Sequence, residues 1–238
     1  MFGNPGKGAR IEILEASVNG LAQRGFHLGV SGIYNNQVLL FAHTGITLGL
    51  ALGLDNLRAR GRTSLEESRS RFAGPRVGAI ARVIDYRIAL IGSMLPDIID
   101  KPLGIYIFTE TFSNGRIYAH TLLFFLVLLL IGLFRYIRSG GIGFLVLAMC
   151  SGFHLVLDQM WLDPRTLLWP LFGLSFPRGD MENWLGHILH AMVAEPLVYV
   201  PELAGFLILA AFGVALLRSR SVFVFLRRGI TRWQTLTS

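Results

Sequence analysis

Asp97 and Asp100 stand three residues apart in GSMLPDIIDKP, and His154 and Asp158 stand four apart in SGFHLVLDQMW. Both spacings put a pair on one face of a helix. His43 and His120 lie in two further apolar stretches, FAHTGITLGL and IYAHTLLFF. Helical bundles hold metal ions with imidazole and carboxylate groups one turn apart, and a mixed nitrogen and oxygen set suits zinc, manganese, iron or cobalt. Each residue alone has a plainer reading. A single His in an apolar helix is usually a hydrogen-bonded core residue, Pro-Asp after an apolar run is often a turn or cap, and His-x-x-x-Asp arises by chance. Six such residues at one depth, from four helices, argue for a metal site. A catalytic zinc typically takes three protein ligands. Six donors therefore predict two ions, or one ion with a general base and supporting partners.

The elements that must position them are membrane helices. The chain has 238 residues, 53% of them hydrophobic and 16% charged, with a mean hydropathy of +0.54. Soluble domains carry about 25% charged residues, so the deficit and the long apolar runs point to an integral membrane protein. The formal charge is +7, and only Lys7 and Lys101 are lysines. The arginines flank apolar runs, which fits lipid headgroups and topology signals, and no nucleic-acid partner is expected. Cys150 is the single cysteine, which excludes a disulfide framework and a Cys-based zinc motif. The first 36 residues lack the pattern of a cleavable signal peptide.

The expected fold is all-α, a polytopic transmembrane helix bundle of about five membrane helices plus an N-terminal amphipathic segment. Residues 1–36 form that surface segment, 37–218 the bundle with the metal site, and 219–238 a basic cytoplasmic tail. The expected spans are Val38–Leu54, Val77–Leu95, Ile117–Phe134, Ile142–Trp161 and Leu203–Leu217. Asp55–Arg76 reads as an aqueous loop, 162–183 as a second loop, and Trp184–Val198 as a half-apolar, interfacial helix. Pro96 is expected to end its helix or open a new turn, and Arg82 to share a face with Asp85. Placing the Arg-rich loops inside the cell makes a multi-pass protein of the cell membrane, with its C-terminus cytoplasmic and the six residues toward the outer face. Lys7, Arg10 and Arg24 do not follow that arrangement. His187 and His190 read as an interfacial face, Glu202 as a group that can approach the site, and Trp161, Trp169 and Trp184 as interface anchors.

FAHTGITLGLALG, IGSMLPDIID, NGRIYAHTLLF and SGFHLVLDQMW with LLWPLFG resemble, in order and spacing, the YdjM-like family of membrane-bound metal-dependent hydrolases. The resemblance covers Ala42–Gly173. His43, Asp97, Asp100, His120, His154 and Asp158 match its pattern, as does Arg116, while Asn114 stands where the pattern has a His. The resemblance implies a hydrolase that uses metal-activated water, with one or two divalent ions per chain, zinc first and manganese or iron as alternatives. It implies Asp100 or Asp158 as general base and Arg116 as holder of an anionic group such as a phosphate, making these three the catalytic candidates. The implied substrate is a phosphoester or a lipid-linked compound, and the bilayer is the expected partner. Two other readings stay open. Intramembrane His and Asp also mark ion pathways in transporters, and a non-catalytic membrane adaptor can carry a structural metal site.

Overall fold

The computed structural model describes residues 40–69, 84–178, 184–231 and 234. The N-terminal surface segment, with Lys7, Arg10 and Arg24, and Arg82 lie outside them. Every described element is a helix.

Helix α1 (Leu40–Arg69) begins in the apolar run that carries His43 and does not stop at Leu54. Much of the stretch expected as an aqueous loop is helical. Arg, Ala, Leu and Glu favour helix there, and the first Pro comes only at Pro75. Helix α2 (Tyr86–Lys101) starts after the expected Val77, at a cap. The Asp85 carboxylate accepts from Arg87 N at 2.9 Å and pairs with Arg87 Nη2 at 2.8 Å.

Pro96 does not end α2, which runs on to Lys101 and then into a π-helical turn, Pro102–Ile107. Proline removes one N–H from the helix, but tight packing holds the segment in place. A β-carbon on Gly92 would stand 2.8 Å from the Leu147 carbonyl oxygen of the neighbouring helix.

Helix α3 (Leu122–Ser139) is capped by Thr121, whose Oγ1 accepts from Phe124 N at 3.1 Å. The expected start at Ile117 is therefore too early, and His120 sits in the bend before the helix. Gly140, at φ 64°, closes α3 in the left-handed conformation that glycine adopts readily. Helix α4 (Gly143–Leu157) ends at Asp158. A 3₁₀ turn (Met160–Leu162) and the short α5 (Pro164–Leu167) interrupt the loop that follows. Next come α6 (Trp184–Ala194), α7 (Pro196–Arg218) and α8 (Val222–Arg228). Pro196 fits the first helical position, so α7 starts before the expected Leu203 and contains Pro201. The expected tail carries α8.

Helix α1 packs along α7 and against α2, while α4 packs against α2 and α3. At Gly45 and Gly205 the backbones of α1 and α7 touch, and a β-carbon on either glycine would overlap the other helix. Small residues permit such close crossings in membrane bundles. Midway along α1, Tyr86 OH and Gln234 Nε2 both donate to Asp55 Oδ2, at 2.8 and 2.6 Å, and Tyr86 N donates to Gly229 O at 2.8 Å. Among the described residues, α3 and α7 are long and apolar enough to cross a membrane, and α4 is apolar but has 15 residues.

Candidate metal centre

His154 lies on the last turn of α4, and its Nδ1 donates to the Ser93 carbonyl of α2 at 2.6 Å. A carbonyl only accepts, so the ring hydrogen is on Nδ1 and Nε2 presents a lone pair. His120 is held in the same way from another side. Its Nδ1 is 2.7 Å from Asp100 Oδ2. Asp100 also accepts from the backbone amides of Ile117, Ala119 and His120 at 2.8, 3.0 and 3.1 Å. Both rings and the Asp100 carboxyl are fully buried.

The two Nε2 atoms are 3.3 Å apart. Two lone pairs at that distance repel, and a metal ion or a proton between them relieves the repulsion. Asp97 Oδ1 lies 3.6 Å from His120 Nε2 and 3.9 Å from His154 Nε2, and Asp158 Oδ2 shows the same two separations. Around a tetrahedral zinc with bonds of ~2.0–2.1 Å, donor atoms stand ~3.3 Å apart. Asp97, His120 and His154 therefore fit a divalent ion with only a small closure. The Nδ1 bonds to a carboxylate and to a carbonyl are the partners that metal-binding His residues usually have.

His43, from the first turns of α1, joins the cluster through Nε2, 3.1 Å from Asp158 Oδ1, and its ring stacks on His154 with centroids 3.9 Å apart. Two sets of buried groups can thus hold an ion: Asp97, His120 and His154, or His43, His154 and Asp158. Two cations flank the centre. Lys101 Nζ is 2.7 Å from Asp97 Oδ2, and Arg116 Nε is 2.9 Å from Asp158 Oδ2.

All six sequence candidates and Arg116 meet at this one place. Asp100 differs from the others, because its oxygens face His120 and the 117–120 backbone. The reading from sequence did not include Lys101, although its i, i+4 spacing from Asp97 was a usable signal. Nor did it include the Ser93 carbonyl, which no residue type announces. Glu202 does approach, but to cap α1: its two oxygens accept from Phe41 N and Ala42 N at 3.0 and 3.1 Å, the two residues just before His43. Asn114 locks a loop, with Oδ1 accepting from Arg116 N and Nδ2 donating to Pro177 O, at 2.9 and 2.8 Å. His190 is exposed on α6, and the side chains of His187 and Trp184 lie outside the described residues.

Apolar helices long enough to cross a membrane, together with a buried imidazole–carboxylate cluster, define a helical membrane protein with a centre able to hold a metal ion. The family model for the YdjM inner membrane protein matches residues 39–227, and the chain belongs to that family. The match takes in every residue of the centre. No curated protein and no solved structure matches the chain.

Proposed function

We propose that this protein is a multi-pass, membrane-embedded, metal-dependent hydrolase acting on a phosphoester or lipid-linked substrate, with zinc as its first candidate ion. The observation that carries this reading is the pair of Nε2 lone pairs 3.3 Å apart between two carboxylates. Asp97, His120 and His154 hold the ion. Three protein ligands and an open position are the pattern of a catalytic zinc, not a structural one. When bound, the ion supplies Lewis acidity toward a water molecule and toward a phosphoryl oxygen.

The chain's own groups do the rest. Asp158 turns to the centre an oxygen that Arg116 Nε already holds, whereas Asp97 gives Lys101 its other oxygen, so Asp158 is left as the carboxylate that orients the water and takes its proton. Its other oxygen bonds His43 Nε2, which places an imidazole to relay the proton. Arg116 uses Nε on Asp158 and offers its Nη groups to an anionic oxygen. Asp100 is a positioning residue for His120, since its oxygens are already engaged.

Helices α1, α2, α3, α4 and α7 are the membrane passes. The arginines beyond α3 and α7 favour a cytoplasmic C-terminal tail and a centre toward the outer face. The described helices up to Arg218 form the bundle, and the residues that follow form its basic tail. The clustering of polar groups at one end of the helices favours a single centre over an ion path.

Elemental mass spectrometry on detergent-purified protein tests the reading. Wild type should carry a transition metal that Asp97→Asn and His154→Ala both lose. Wild type without metal above background after reloading would overturn it.

A further inference from the structure

Two segments between the long helices, 102–121 and 158–178, with only short helical turns in them, close over the end of the bundle as one layer. An aromatic cluster joins them. Tyr118 packs on Phe176 and Trp169, with ring centroids 5.0 and 5.4 Å away, Trp169 stacks on Phe176 at 5.6 Å, and Phe112 meets Phe176 at 6.0 Å. The Asn114–Pro177 bond and a 2.8 Å bond from Arg178 Nη2 to Glu110 O add to the seam. Tyr118 is two residues from His120, so the layer is continuous with the metal centre.

The outside of this layer is also apolar. Leu171, Leu174 and Tyr106 are 80, 78 and 75% exposed, and Ile107, Trp161 and Phe172 are exposed with them. A loop layer with aromatic residues inside and large apolar residues outside is unsuited to water. Its exposed surface continues onto α3, where Leu122, Leu123, Leu130 and Ile137 are exposed along a helix able to cross the membrane. Exposed Arg165 and Arg178 lie among the apolar residues, the mixture found where chains meet lipid headgroups. Non-helical backbone is excluded from lipid-facing hydrocarbon, which puts the layer at the headgroup boundary.

The charge of the centre adds the second half. Three carboxylates, Asp97, Asp100 and Asp158, face two cations, Lys101 and Arg116. With neutral imidazoles the centre is one charge negative, and a divalent ion makes it one charge positive. The Lys101 side chain is a third exposed, so its remaining donors reach out of the cluster.

We propose that the layer is seated in the surface of a bilayer leaflet, and that the centre takes an anionic phospholipid headgroup sideways from that leaflet. The second half rests on the hydrolase reading; the first does not.

Spin labels test both. With Cys150 replaced by Ser, Leu171→Cys, Phe172→Cys and Leu174→Cys are labelled one at a time in vesicles of phosphatidylethanolamine and phosphatidylglycerol. Each label should relax with dissolved oxygen in preference to a water-soluble nickel chelate. Labels that favour the nickel chelate, or that broaden one another across two copies of the chain, overturn the seating. Spin-labelled phosphatidic acid should then associate about five-fold more than spin-labelled phosphatidylcholine, the scale of one cation against a phosphate. Arg116→Gln should erase that preference. Equal association of the two lipids overturns the headgroup assignment. A lipid-facing result in a chain that binds no metal leaves the seating standing and sinks the hydrolase, so the two failures are distinguishable.

Discussion

His120 Nε2 and His154 Nε2 face each other across 3.3 Å, and the second nitrogen of each ring is already bonded, to Asp100 and to the Ser93 carbonyl. His154 therefore has one nitrogen to give. The two donor sets that share it compete for a single ion. One equivalent of metal per chain is expected by elemental analysis. Two equivalents in wild type would refute the count.

Asp100→Asn separates positioning from proton transfer. The substitution keeps the volume but weakens the hold on His120 and on three backbone amides. Loss of such a supporting partner typically costs 10–100-fold in metal affinity, which chelator competition would read, with helical content unchanged by circular dichroism. Unchanged affinity with lost turnover would instead make Asp100 the base.

Glu202 caps α1 from α7 through two amides. Glu202→Ala leaves Phe41 N and Ala42 N without that acceptor at a half-buried helix end, a cost of about 1 kcal/mol. Thermal unfolding in detergent should show the loss. Glu202→Gln keeps one acceptor oxygen and should fall between the two. Wild-type stability in the Ala variant would mean the cap is dispensable.

The glycines of α7 should respond in opposite directions. Gly205 lies against the α1 backbone, whereas Gly213 has open space where a β-carbon would go. Gly205→Ala should destabilise by about 1–3 kcal/mol through overpacking. Gly213→Ala should stabilise by about 0.5–1 kcal/mol, because Ala is the better helix former. Equal shifts in unfolding midpoint would refute the close crossing.

The centre was legible because charge and imidazole are costly in apolar segments, so His43, Asp97, His120, His154 and Asp158 stand out against their surroundings. Helix termini were legible only in part. Thr121 and Pro196 are ordinary start signals, yet hydropathy alone drew α3 too early and α7 too late. Pro96 read as a break, because the packing of Gly92 against α4 that keeps α2 continuous is a tertiary fact. The direction in which Asp100 points was not legible either. It depends on three amides of a bend whose conformation no residue type in it dictates. Five spans were expected, and two of the described helices, α3 and α7, have the length and apolarity to cross a membrane without further argument.

The bond from Asp100 to the 117–120 backbone has one more consequence. The donors are main-chain groups, so exchanging the side chains at Ile117, Tyr118 or Ala119 leaves the amides on offer. Inserting or deleting a single residue between Arg116 and His120 would instead move every amide out of register with the carboxylate and swing the imidazole away. What this bend must preserve across related chains is a length more than a spelling. An alignment that allows a gap there would hide that constraint.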